Sequence, residues 1–567
     1  MPGFRGSTSS GQSDGVREMG CDFWGSMIQF NTQFRTRRGQ FRKKTESAGK
    51  GDEGSCCRRG NQWVDSSLGE FQFRLLNEYS DHEVELFEAN HYVGGHTNTV
   101  RIKETAVDTG FIVFNKLTYP NFMRFLEILD VDYIPSNMSF SVTRTFGAAY
   151  EWSGNGLASL FSGIAAWPDR LSQLRLIWDL LRFNHLALDL LEGPEGHLTI
   201  QEYLAKHSYS EAFKRNYLLP IVSSIWSTPA NKTALHFPMR TLIRFMHNHH
   251  LLQIFDQPQW LTIKNGSRRY VEKIVGKLGE GSCFKSTRIA SIRMEASGKK
   301  LYLQTAADES PGLQYGPYDH VILASHADQT LSILKNSNCH ARLARQIDIL
   351  SRFQFNQNEA VLHNDLSLMP SRRATWTSWN YLITHDSQTI SEEPTDGAPT
   401  SGVENTVCLT YWMNLLQSIP EETCGPVLVT LNPPKEMEPS SVFGRWKYEH
   451  PLYTSESVKA QEELWEIQTK EGLSYVGAWT KYGFHEDGLT SSLRLMLVEH
   501  PTLFRVRSPF KHVANCDQPS PVRPVSRLTR CLLHLGQFCV LLLSLACGSF
   551  RTYCKHRHPP PQKSKTS

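Results

Sequence analysis

The residues best placed to do chemistry in this 567-residue chain lie between His82 and Asn115. A short apolar alternation, Val84-Glu85-Leu86-Phe87, stops on an acid, Glu88. It is followed by a glycine pair, Gly94-Gly95, a second strand-like run, and Asp108-Thr109-Gly110. A carboxylate at the end of a buried strand can accept hydrogen bonds from both hydroxyls of a nucleotide ribose. Paired glycines just beyond let the backbone approach a pyrophosphate, since no Cβ stands in the way. In this order the pieces spell the second half of a dinucleotide-binding unit.

The first half does not fit. Such a unit opens with an apolar strand and then G-x-G-x-x-G at a helix N-terminus, roughly 20 residues before the ribose acid. With Gly69 as the third glycine, the first two positions hold Val64 and Ser66, and the preceding residues 58–63 do not read as a buried strand. The pattern resumes at Leu75-Leu76-Asn77-Glu78-Tyr79. A valine at the tight turn and a side chain at 66 would hold a pyrophosphate off the helix N-terminus. Two explanations stay open: the N-terminal sequence has been replaced, for instance through a wrongly joined exon, or the chain has lost its phosphate cradle. The well-formed downstream half favours the first.

The stretches VELFEANHYVGGHTNTV, VDTGFIVFNKLTYPNF, and MSFSV before EWSG resemble the flavin amine-oxidase superfamily. More closely they resemble a bacterial and fungal branch of FAD/NAD(P)-binding oxidoreductases whose substrates are mostly unassigned. The similarity runs from about Leu75 to about Val498, and the dinucleotide it implies is FAD rather than NAD. It implies cofactor contacts at Glu88, Gly94, Gly95 and His96, at Gly69 as what is left of the first turn, and at Ala324, where YDHVILASH carries Ser325 in the family's threonine place. The closing stretch GAWTKYGFHEDGLTSSLR would bring Gly477, Ala478, Trp479, Glu486, Asp487 and Gly488 to the flavin. A helix start there offers free N–H groups and partial positive charge where flavin reduction builds negative charge. The plainer alternative is a surface helix capped by Asp487.

These residues need a frame, and composition allows one. The hydrophobic fraction of 40% and charged fraction of 20% are those of a globular protein long enough for two or three domains. Lys+Arg 60 against Asp+Glu 56 is too balanced to argue for nucleic acid. Twelve cysteines without a CxxC pair suggest neither a zinc site nor a disulfide framework, so the expected setting is reducing and intracellular, cytoplasmic or membrane-associated.

The expected fold is α/β: a Rossmann-like FAD-binding domain, aberrant in its first strand and glycine turn, with a mixed-sheet and helical substrate domain. The segments are a disordered basic arm (1–74), the FAD domain's first part (75–119), a helical part of the substrate domain (120–255) and the FAD domain's second part (256–335). A β-rich substrate domain (336–470), a closing FAD-domain strand and helix (471–500) and a tail (501–567) follow. A helix from Glu211 is expected to end at Pro220, and another near 238–252 carries His247, His249 and His250 without an acid or cysteine at a matching spacing, so no metal is expected. Trp376, Trp379, Tyr411, Trp412, Trp446 and Tyr448 fall on predicted strands, where alternation lets about half face a cavity. Residues 531–550 are about long enough to span a bilayer, though His534 and Gln537 weaken the run; a tail anchor and a translated intron both fit.

The expected activity is hydride transfer from a substrate C–H, in an amine or a lipid-like or isoprenoid molecule, to flavin. The flavin carries the hard chemistry, so no catalytic dyad is required and none is named. The alternatives are a cofactor-deficient, non-catalytic remnant of the fold and a flavin-dependent isomerase.

Overall fold

The computed structural model describes residues 63–64 and 76–542, except for 148–149, 155–156, 162–166, 229–234, 254–256, 278–280, 307–311, 385–406, 511, 515–524 and 541. Two short parallel sheets, one of Cys283–Phe284 and Leu86–Phe87 and the other of Trp63–Val64, Val321–Leu323 and Leu473–Tyr475, meet where Leu86–Phe87 comes close to Trp63–Val64. The registered pairs Cys283 with Leu86, Trp63 with Ile322, and Ile322 with Ser474 are all parallel.

A parallel sheet must be covered on both faces, and alternate residues of each strand divide between two apolar clusters. Leu86, Ile322 and Val476 join Phe114, Phe122, Tyr270 and Met496 on one face. Phe87, Val321, Leu323 and Tyr475 join Leu303, Leu350 and Trp479 on the other. Leu86–Phe87 is the buried strand that the alternation before Glu88 predicts.

One expectation changes. Residues 58–63 do not read as a strand, yet Trp63–Val64 pairs with Ile322 and Leu323 in the place of the missing first strand. Sheet pairing is made by backbone N–H and C=O groups, so a neighbouring strand edge can accept an extended segment whatever its side chains. The remainder of the 1–74 arm, including Gly69, lies outside the described residues.

The substrate side is a seven-stranded sheet. Its order is Val442–Leu452, Gln354–His363, Leu428–Leu431, Cys408–Trp412, Trp379–Ile383, Phe140–Arg144, Tyr150–Ser153. Pairing is antiparallel except between Trp379–Ile383 and Phe140–Arg144. Five of these strands come from the late, β-rich part of the chain and two from its first part. Helices Trp167–Leu186, Leu219–Trp226 and Met239–Asn248 pack against this sheet through Phe183, Trp226, Phe245 and Leu409.

Pro220 does not end its helix. Residues Lys214–Leu218 widen into a π-turn that runs directly into Leu219–Trp226. A proline lacks the N–H that an α-turn would use, and its ring crowds the previous turn. A wider turn just before it accommodates both defects.

At the far end, residues 527–540 are helical and lie along Trp167–Leu186. Trp178 Nε1 donates to Gln537 Oε1 at 3.0 Å, and Arg530 pairs with Asp189. The proposed membrane segment 531–550 is described only to 542. No helix among the described residues is long and apolar enough to cross a membrane. Gln537, which breaks the segment's apolar run, is the residue that docks it.

Candidate functional site

The C-terminal ends of the parallel strands gather the residues that the sequence singled out. Glu88 follows Leu86–Phe87, Ala324 follows Val321–Leu323, and Gly477 follows Leu473–Tyr475 after one residue, so three distant stretches share one sheet edge. That edge is where open α/β sheets bind dinucleotides. Glu88 is fully buried and its Oε1 accepts from the Asn90 N–H at 2.7 Å.

Close backbone approach is real at two glycines here. Gly94 has φ +123°, and a Cβ on it would stand 2.9 Å from the Thr97 carbonyl oxygen. Gly110 would place a Cβ 2.2 Å from the His96 carbonyl oxygen, which the Phe111 N–H already engages at 2.9 Å. So Gly94, Gly95 and His96 form a loop folded tightly onto the Asp108-Thr109-Gly110 turn.

Asp108 anchors that turn. Its carboxylate accepts from the Ser267 N–H and Oγ, from Gln417 Nε2 and from Thr99 Oγ1. Burial pushes its pKa up to about 6, against these donors, which favour the charged form.

Above the sheet edge lies a cavity of about 210 Å³. Its wall is mostly apolar: Phe111, Ile112, Met138, Phe245, Phe355, Trp379 and Tyr411 are among its lining residues. Trp379 and Tyr411 meet edge to face at 5.2 Å. Both are aromatic residues of the late strands. Tyr448 sits just behind, its hydroxyl bonded to Thr109 Oγ1 at 2.7 Å and Asn98 Nδ2 at 3.1 Å. Trp376 and Trp412 stack on Arg373 instead: Trp412 points away from its neighbour Tyr411 as alternation requires, whereas Trp376 ends the short turn Arg373–Thr375 and is not on the strand expected for it.

The polar part of the wall is five imidazoles together with Ser224, Ser227 and Glu449. His96, His249, His326, His450 and His485 all line the cavity. Burial holds His96 well below its ordinary pKa, His249 and His450 down to about 4, and His485 down to about 3. These four rings are neutral at pH 7. Glu449 is the lining carboxylate; it receives His326 Nδ1 at 3.3 Å and Gln329 Nε2 at 3.1 Å. His326, Asp328 and Glu449 bring ligand atoms within 4.8 Å of one another, whereas His247, His249 and His250 form no such group among the described residues.

The closing turn behaves differently from what the resemblance implies. Ala478 and Trp479 reach the cavity, and Trp479 Nε1 donates to the Ser325 carbonyl at 3.0 Å. Glu486 is buried with its two oxygens on the N–H groups of Asn121 and Phe122, so it caps the helix Pro120–Leu129. Asp487 accepts from the Phe484 N–H at 2.9 Å, and the Gly488 carbonyl takes the hydroxyls of Ser491 and Ser492. It is Gly483, Phe484 and His485, just before them, that face the cavity. Phe484, not Asp487, is the N-cap of this largely buried helix, and Asp487 closes its start from the third helical position through the Phe484 N–H.

FAD can be tested against this geometry. A buried acid at the strand end suits the ribose, whereas the Cβ that Gly94 lacks would meet Thr97 and Val271 of this chain, so that glycine serves the fold of its own loop. Gly477, at φ +147°, holds the loop beside Trp479 where a Cβ would fall 2.6 Å from Nε1. Of these residues, Glu88 has the chemistry that the ribose end of the cofactor asks for. The turn after Val64 lies outside the described residues.

The sequence considers His249 only as part of a possible metal cluster and does not single out His326, His450 or His485. A signal existed for His450 alone, since Trp446, Tyr448 and His450 share one face of a strand.

Residues 74–350 match the family described as flavin containing amine oxidoreductase. The match bears out the resemblance and, with it, a flavin as cofactor. Comparison with curated protein sequences finds no match. Among solved structures, cyclohexylamine oxidase from Brevibacterium oxydans is 13% identical with a TM-score of 0.52, over 79% of this chain and 98% of that one. A redesigned putrescine oxidase is 11% identical with a TM-score of 0.50, over 77% and 97%. At these identities the likeness shows a shared fold.

Proposed function

We propose that this chain, which matches the flavin-containing amine oxidoreductases over residues 74–350, is an FAD-dependent oxidoreductase acting on a C–H bond of a neutral, lipid-like substrate. The observation that supports this reading is the cavity wall: apolar side chains interleaved with imidazoles, of which burial keeps His96, His249, His450 and His485 uncharged. An ammonium group would have to give up its hydration there, and the one lining carboxylate, Glu449, is already taken by His326 and Gln329.

Bound FAD would supply the hydride acceptor. The chain's own residues have simpler tasks. Glu88 holds the cofactor at the sheet edge, and Gly94 and Gly477 shape the loops beside it. Phe111, Phe355, Trp379 and Tyr411 exclude water from the reacting C–H and orient it. Neither task needs a proton-transfer pair.

A second reading, a cofactor-deficient remnant, is favoured by Val64 and Ser66 standing where glycines belong. One preparation separates the two. Purified protein that is yellow, or becomes so with added FAD, supports the enzyme; a folded, colourless protein that takes up no FAD supports the remnant. Oxygen uptake with long-chain alkenes or isoprenoid alcohols, but not with long-chain primary amines, supports the substrate class, and the reverse preference overturns it.

A further inference from the structure

Four residues on three strands and the loops beside them fix where one proton sits. The Glu359 N–H donates to Asn432 Oδ1 at 2.8 Å, which sets that amide's orientation. Asn432 Nδ2 must then be the donor to Asn358 Oδ1 at 2.7 Å. That leaves Asn358 Nδ2 facing His450 Nδ1 at 3.0 Å. An amide NH₂ has no lone pair to offer, so His450 Nδ1 must accept. The ring proton is therefore on Nε2. Asn358 is almost wholly buried, so an amide flip would set donor against donor out of reach of water.

The ring lines the cavity, and no described residue receives a hydrogen bond from Nε2. The ionisable groups around it are His96, whose ring meets it edge-on at 5.5 Å, His326 and Glu449. A second proton on the ring could go only to Nδ1, against the Asn358 amide. Burial lowers the ring's pKa in the same direction, to about 4.

We infer that His450 is a specificity-determining residue, locked by Asn358 and Asn432 as a neutral Nε2–H donor that receives an acceptor oxygen on an otherwise apolar substrate. This rests on reading the cavity as the substrate site. Such a donor accepts a carbonyl or hydroxyl oxygen and repels an ammonium, because both would present hydrogens.

The test uses FAD-supplemented full-length protein, a long-chain methyl ketone and the n-alkane of equal length, with binding read by tryptophan fluorescence. The ketone should bind about tenfold tighter than the alkane. That preference should vanish in His450→Phe. In Asn358→Asp the new carboxylate would draw the ring proton to Nδ1, and the preference should vanish there too. Nitrogen-15 spectra of histidine-labelled protein add a readout independent of binding: the resonance absent from His450→Phe should show the Nε2–H form in the wild type and change form in Asn358→Asp. Equal binding of ketone and alkane by the wild type, or a preference that survives in His450→Phe, overturns the inference and leaves the cavity reading standing. Binding of neither probe removes the cavity reading and the inference with it.

Discussion

Thr97 and His485 stand 388 residues apart in the chain and meet through Thr97 Oγ1 and His485 Nε2 at 3.1 Å. The same hydroxyl bonds Tyr270 OH at 2.5 Å, and the His485 ring lies flat on Phe111 at 3.7 Å. The loop after the ribose acid and the closing turn are thus one assembly at the cavity.

Removing that link should be costly. Thr97→Val keeps the shape but leaves the Tyr270 hydroxyl and the His485 nitrogen without their shared partner in a buried site. The expected loss is about 1–3 kcal/mol, seen as a lower melting temperature. Added FAD should restore less of the melting temperature in the variant than in the wild type.

Gly110→Ala sets a Cβ 2.2 Å from the His96 carbonyl oxygen, a backbone atom that cannot step aside. Destabilisation of at least about 1–3 kcal/mol is expected, with weakened FAD binding because the Gly94–His96 loop must shift. Urea unfolding and flavin titration check both. Unchanged values for both would mean the loop is looser than it stands here.

Glu486 and Glu88 should separate cleanly. Glu486 caps a helix through two backbone N–H groups, so Glu486→Gln should lower stability by roughly 0.5–2 kcal/mol with FAD affinity unchanged. Glu88→Gln sits at the ribose edge and should weaken FAD binding at least tenfold with a smaller effect on folding. Calorimetric titration against thermal melting gives the two readings.

The buried imidazoles set a pH dependence. Burial brings the folded-state pKa of His249 to about 4, below its ordinary 6.5. A lowered value means that the unfolded chain binds more protons, so the contribution is complete above pH 6.5 and is lost as pH falls toward 4. The wild type should therefore lose stability in that window more steeply than His249→Phe, measured by urea unfolding at several pH values. Parallel curves would show that the ring is not buried in solution.

Much of the nucleotide half could be read from the sequence because its signals are local. Glu88 ends a short alternation, Gly94-Gly95 follows within a few residues, and Gly477 closes another strand. Each could be placed without knowing what it would touch. The cavity was far less legible. Asn358, Asn432 and His450 meet because three strands fall into one register, and register is a property of the assembled sheet. The partners of Glu486 are hidden for a related reason. An acid at a helix start could serve its own helix or a ligand, and in fact it serves a different helix, Pro120–Leu129, which the sequence could not bring alongside. The strand Trp63–Val64 was overlooked because backbone pairing chose it without an apolar pattern.

Asp108 and Gln417 clasp each other twice, Asp108 N–H to Oε1 and Nε2 to the carboxylate, both at 2.8 Å, while the same carboxylate grips Ser267. With the Tyr448 hydroxyl stitched to Asn98 and Thr109, these ties run as a rivet line between the nucleotide lobe and the substrate lobe. Such ties oppose a jaw-like opening, and scattering profiles taken with and without a bound ketone are expected to superimpose.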